Sequence, residues 1–155
     1  MSSSGAACAY EYESDFEVPD GGTKCDQPAD NRVDDSLRTE ITRAEKLVGT
    51  LDADEDSLAY SRETLNLAIV FLRVQSSQFR KMYSFCPPVP HIGPGPNGSV
   101  DLHWKQNQWE LLINIPSDNS QQASFYGDDY GTQRIKGTLH PRKINYGIIS
   151  WLTHK

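Results

Sequence analysis

The spacing of hydrophobic positions changes twice along the chain. Leu37, Ile41, Ala44, Val48 and Leu51 recur at intervals of 4, 3, 4 and 3, which places them on one helical face. The pattern predicts an amphipathic helix from Asp35 to about Gly49, with Asp34, Asp35 or Ser36 as its cap. After the acidic connector at 52–56, Leu58, Leu65, Ala68, Ile69, Leu72, Phe79 and Met82 mark a second helical face. Asp54, Asp56 or Ser57 suits the start of that helix, and Arg80 and Lys81 suit its last turn. Leu67, Val70, Phe71 and Val74 widen the apolar surface beyond a stripe, so this helix is expected to be buried on two sides.

Beyond residue 98 the period falls to two. Val100, Leu102 and Trp104 alternate with Ser99, Asp101 and His103, and Trp109, Leu111, Ile113 and Ile115 repeat the pattern. These are half-buried strands joined by a turn at KQN. Residues 123–127 and 132–139 read as two further strands across the turn DDYG, and Pro141 opens a short helix carrying Ile144, Ile148 and Trp151. The intervening CPPVPHIGPGPNG is too rich in proline and glycine for a helix and reads as an extended crossing. The expected fold class is therefore α+β, with two N-terminal helices packed on a four-stranded antiparallel meander and a short C-terminal helix. A turn pairing Trp104 with Trp109 sets two indoles together across the hairpin, as core filling or as a stacking platform.

Residues 90–104 read P-x-I-x-P-x-x-x-G-x-V-x-L-x-W, carried by Pro90, Ile92, Pro94, Gly98, Val100, Leu102 and Trp104. With a Trp-Leu pair near the end, here Trp151 and Leu152, this resembles a group of small bacterial α+β proteins of mostly uncharacterised activity. The likeness spans residues 36–155 and implies the fold. Genes of that group lie at times among toxin–antitoxin-like or mobile-element genes, which implies a role in binding a partner. The acidic N-terminal stretch and the basic tract TQRIKGTLHPRK depart from the pattern.

The 155 residues carry a net charge of −6, and its distribution matters more than its total. Residues 1–35 hold nine acidic side chains against Lys24 and Arg32, whereas the remainder is close to neutral. Residues 1–34 are few in aliphatics and read as a disordered acidic tail, leaving residues 35–155 as a single domain. Within the tail, Tyr10, Tyr12, Phe16 and Val18 alternate with carboxylates, as in a linear motif that orders by strand addition or against a basic groove. An acidic chain without a Lys/Arg run gains no general counterion-release attraction, so nucleic acid is disfavoured as a partner. No apolar stretch is long enough for a membrane span, and the N-terminus lacks the form of a secretory signal. A cytoplasmic location is expected. Three cysteines, Cys8, Cys25 and Cys86, form neither a disulfide framework nor a zinc pattern and read as reduced thiols.

Candidate chemistry is sparse. His91, His103, His140 and His154 lack the spacing of a helical metal pair, and no phosphate loop or nucleophile elbow is present. No catalytic residue, metal ligand or cofactor is assigned. The segment at 125–137 exceeds structural need: Tyr126, Asp128, Asp129 and Tyr130 surround a turn, with Arg134 and Lys136 on the solvent side of the next strand. Tyrosine and arginine are enriched at contact hot spots, so these six residues are the expected binding site for a protein partner. The expected function is non-catalytic protein interaction, antitoxin-like or inhibitor-like. The alternatives are a small metal- or thiol-dependent enzyme using Cys86 and His103 and, third, a weak nucleic-acid binder.

Overall fold

A computed structural model describes residues 27–50 and 59–153, and of residues 27–34 the backbone alone. The first helix, α1, spans Gln27–Glu45 and begins eight residues before the expected Asp35. Its start falls inside the stretch assigned to the tail, and Pro28 is tolerated there because first-turn N–H groups have no partner within the helix. The rest of that stretch lies outside the described residues, as do Leu51, Leu58 and the expected caps Asp54, Asp56 and Ser57. The predicted face holds: Ile41 and Ala44 are buried, with Leu37 and Val48 packed against the core. Beyond the end of α1 the Tyr60 hydroxyl donates to the Ala44 carbonyl at 2.6 Å, and the same carbonyl accepts the Leu47 amide at 3.1 Å.

The second helix, α2, spans Arg62–Tyr83 and is capped by Ser61, whose Oγ accepts the Thr64 amide at 3.1 Å. The chain thus enters the helix later than expected, with Tyr60 buried just before the cap. Leu65, Leu67, Ala68, Ile69, Phe71, Leu72 and Phe79 are buried, so the widened apolar surface is used. Met82 departs from its predicted face and is exposed. Ser84 ends the helix in the left-handed region, its N–H donating to the Arg80 carbonyl.

Among the described residues five strands form one antiparallel meander, one more than the alternation predicts: β1 His91–Pro94, β2 Val100–Lys105, β3 Glu110–Ile115, β4 Ala123–Asp128 and β5 Arg134–Leu139. The additional strand is β1, which lies in the segment expected to cross as irregular chain. Proline is compatible with it because β1 is at an edge, where missing donors leave no ladder bond unmade on the outer side. A 3₁₀ turn at Pro96–Gly98 reverses the chain into β2, with Gly98 at φ +78°, a conformation that favours glycine.

Strand parity sorts the sheet into two faces. Ile92, Val100, Leu102, Trp104, Leu111, Ile113, Ile115, Ala123 and Leu139 are buried on the inner face, against which α1, α2 and the last helix pack. That helix, α3, spans Tyr146–Trp151 and is capped by Asn145, whose Oδ1 accepts the Ile148 amide at 3.0 Å. Pro141 does not open it, and Ile144 is exposed; Ile148, Ile149 and Trp151 are buried. The connection before α3 is tied to α2 by Gln75, whose Nε2 donates to the Lys143 carbonyl at 2.8 Å and whose Oε1 accepts the Asn145 amide at 3.0 Å. Gly127 is a packing requirement, since a Cβ there would lie 2.9 Å from both the Trp151 ring and the Ile135 side chain.

The β2–β3 register sets Trp104 opposite Leu111 and Lys105 opposite Glu110, leaving Trp109 in the connecting loop. The expected pairing of Trp104 with Trp109 is therefore replaced by a four-residue connection, closed by the Gln106 amide on the Trp109 carbonyl at 2.9 Å. Both indoles are buried, and Trp104 Nε1 donates to the Pro88 carbonyl at 2.9 Å. They fill the core.

The outer edge of β1 is guarded by α1. Glu40 Oε2 accepts the Ile92 amide at 2.9 Å, and Arg43 Nη2 donates both to the Ile92 carbonyl and to Glu40. One ion pair thus occupies the backbone groups that a neighbouring strand would take. Burial works to raise the Glu40 pKa, but the Arg43 guanidinium, the Ile92 amide and the nearby His91 outweigh it and hold the carboxyl below its ordinary value. A depressed folded-state pKa contributes stability above the unfolded value of 4.5, and this is lost as the pH falls through the folded one. Glu40→Gln is accordingly expected to cost about 1–3 kcal/mol at pH 7. The gap between parent and variant in denaturant unfolding should narrow below pH 4.5; an unchanging gap down to pH 3 would contradict this account.

Candidate functional site

The outer face of the sheet is polar and carries no helix of the described residues. Successive registers align its side chains in rows across the strands. One row runs His103, Leu112, Tyr126, Lys136; the next runs Lys105, Glu110, Asp128, Arg134. Antiparallel pairing sets directly opposed side chains about 4.5–5.5 Å apart, so charges in the second row meet as neighbours.

Five of the six expected site residues share this end of the sheet. Asp128 is a hub: its Oδ2 accepts the Tyr126 hydroxyl at 2.9 Å and Arg134 Nε at 3.1 Å, while its Oδ1 accepts the Tyr130 amide at 2.7 Å. The Tyr130 amide bond is the leading reason that its pKa lies below the ordinary value, followed by the Tyr126 hydroxyl. Tyr126 is correspondingly pushed up, first by its bond to Asp128. Lys136 lies beside Tyr126 across the strand pair, and Tyr126 and Tyr130 are both exposed.

Asp129 does something else. Its Oδ1 accepts the amides of Gly131 and Gln133, each at 2.9 Å, and so shapes the turn that carries Tyr130 in the left-handed region at φ +57°. Asp128 closes β4 and faces outward with its row, whereas Asp129 lies in the turn beyond the strand.

Sequence reasoning missed a second hub on the same face. Glu110 Oε1 accepts the Tyr130 hydroxyl at 2.7 Å and Lys105 Nζ at 3.4 Å, and Glu110 Oε2 lies 3.2 Å from His103 Nε2. Lys105 Nζ also donates to the Tyr130 hydroxyl at 3.3 Å and lies 5.7 Å from its ring centroid. The Tyr130 hydroxyl is the main cause holding the Glu110 pKa below its ordinary value; burial opposes it, and His103 and Lys105 add to it. Lys105 is raised in turn, first by Tyr130 and then by Glu110. Parity on β2 and β3 was the available signal, since it sends His103, Lys105, Glu110 and Leu112 outward.

The chemistry of this face is fixed charge and aromatic surface. Asp128 and Glu110 are held ionised by several donors each, which suits them to orient neighbours and leaves neither matched to proton donation near neutrality. The Cys86 and His103 alternative fares differently from its expectation. Cys86 is disulfide-bonded, its partner lying outside the described residues, so the reading of reduced thiols is corrected. An odd count with irregular spacing argues against a framework and leaves a single bridge open. His103 is engaged with Glu110, and among the described residues no group of three or more His, Cys, Asp or Glu side chains is placed to hold a metal ion.

No helix among the described residues is long and apolar enough to cross a membrane. Comparison with protein-family models, with curated proteins and with solved structures gave no match for the chain.

Proposed function

We propose that the domain is a non-catalytic protein-binding module, and that a protein partner docks on the outer sheet face around Tyr126, Tyr130, Arg134 and Lys136. The observation that carries this reading is the pair of exposed tyrosines held in place by Asp128 and Glu110. Fixing an aromatic side chain before contact lowers the ordering cost of association, and Tyr and Arg supply much of the energy at protein interfaces. Cations flank the tyrosines on a strand whose backbone is ordered by the sheet, so the charges are presented on a rigid support. An inhibitor-like or antitoxin-like role, implied by the resemblance, is compatible with such a surface. A disulfide at Cys86 is the covalent state typical of oxidising compartments, so a cytoplasmic location forms no part of the proposal.

The test is a charge reversal at exposed positions. Arg134→Glu combined with Lys136→Glu is expected to leave unfolding within about 0.5 kcal/mol per site, since exposed ion pairs contribute little. Affinity for a partner recovered with the full chain should fall at least about tenfold, equivalent to ~1.4 kcal/mol. The parent's affinity should weaken as salt rises, and the variant's should respond less. A folded double variant that binds unchanged would remove this face from consideration.

A further inference from the structure

The two edges of the sheet are treated differently. On β1 the Glu40–Arg43 pair occupies both backbone groups of Ile92. At the other end of the strand order, β5 follows β4 with no described strand beyond it. Antiparallel ladders alternate bonded and non-bonded pairs, and the Asp129 amide on the Gln133 carbonyl marks that position as bonded. Counting along the register, Arg134, Lys136 and Thr138 fall at the non-bonded positions, so their N–H and C=O groups point away from β4. All three residues are exposed.

We infer, resting on the partner-binding reading above, that the partner docks an extended acidic segment as a further strand on β5, with carboxylates at alternate positions beside Arg134 and Lys136. Strand addition uses the outward backbone groups for affinity and alternate side chains for specificity. Both outer-face rows described above end on a cation at β5, so the next place in each row belongs to the added strand. Arg134 gives Nε to Asp128, and among the described residues its terminal amino groups have no acceptor; they suit a carboxylate. Lys136 faces Tyr126 across the strand pair and has no carboxylate opposite it. An acidic residue on the added strand would stand about 4.5–5.5 Å away, as direct cross-strand neighbours do.

The inner side sets the intervening positions. Ile135 is half-buried there, so an apolar residue beside it completes its cover, whereas the Phe125 ring already lies over Gly137. The cations also select against a second copy of this chain. Pairing of β5 with itself about Ile135 or Lys136 sets cation opposite cation, and like charges directly opposed are unfavourable. A groove between α1 and α2, lined by Leu37, Arg38, Ile41, Arg73 and Arg80, is the competing basic surface. Its helical walls offer no backbone ladder and do not read a period of two.

The probe is a short synthetic peptide alternating Glu with Val, added to the full chain while backbone amide exchange is followed by NMR. The Lys136 and Thr138 amides should exchange at least about tenfold more slowly at saturation, with the inward Ile135 and Gly137 amides unchanged as the control for folding. A peptide of the same composition with its Glu and Val residues in separate blocks should give no such protection, and neither should one alternating Lys with Val. In Arg134→Glu combined with Lys136→Glu the preference should reverse, the Lys peptide protecting the edge and the Glu peptide failing to. Equal protection by the block peptide, shifts confined to α1 and α2 around Arg73 and Arg80, or protection that rises with protein concentration alone would overturn the strand addition. Absence of edge protection would overturn it too, while a loss of partner affinity in the same double variant would leave the docking face standing. Edge protection by the Glu peptide together with undiminished partner affinity in the double variant would overturn the partner reading and this use of the edge with it.

Discussion

Replacing Trp104 with alanine is expected to remove about 3–5 kcal/mol of stability, the range for truncating a buried aromatic side chain. Against a total of roughly 5–15 kcal/mol for a domain, that loss leaves a marginal fold or none. The cause is specific to the position. The indole is 3% exposed on the inner face of β2, and its N–H is satisfied by the Pro88 carbonyl in the segment that leads from α2 into β1. Truncation therefore opens a cavity and also releases the chain at Pro88. Denaturant unfolding followed by circular dichroism measures the cost, and Trp104→Phe separates ring volume from the hydrogen bond, which accounts for about 1 kcal/mol. An alanine variant as stable as the parent that nevertheless loses partner binding would restore the platform reading of this residue.

Gln75→Leu should also be damaging, at about 1–3 kcal/mol, because it removes two part-buried hydrogen bonds, each contributing about 0.5–1.5 kcal/mol. Gln75 is 3% exposed on α2, and its amide serves both the Lys143 carbonyl and the Asn145 amide. Leucine keeps the apolar bulk and abandons both groups. The damage should be concentrated where α3 docks, so amide exchange in Ile148–Trp151 should accelerate more than in β2 and β3. Uniform acceleration, or a stability change below 0.5 kcal/mol, would show that the bridge does not hold α3 in place.

The parts of this architecture legible from sequence are those where one face is buried and the other is wet. Val100, Leu102 and Trp104 alternate because the sheet has helices on one side, so β2 and β3 follow from parity alone. Strand β1 was not legible. His91–Pro94 has only Ile92 and neighbouring proline and glycine, and what makes it a strand is pairing with β2 and the side chains of α1. The start of α2 was displaced because Asp54, Asp56, Ser57 and Ser61 are all good caps, and local chemistry does not choose among them. At the candidate site, composition drew attention to the β4–β5 turn and found Asp128, Tyr130 and Arg134. Glu110 and Lys105 escaped notice because Glu110 reaches Tyr130 through the β3–β4 register and Lys105 reaches it through the β2–β3 register, and neither register is written in composition.

Because every strand of the meander pairs with its neighbour in sequence, the sheet has short loops to close at each step. Such low-contact-order pairing places little entropic demand on the early stages of folding, and each hairpin provides the edge on which the next strand grows. The contacts between α1 and β1 span far more chain, with Glu40 and Ile92 separated by 52 residues. Closure of that loop is the entropically demanding step, which favours a sheet that assembles from its hairpins before α1 settles over β1 and ends further growth on that side.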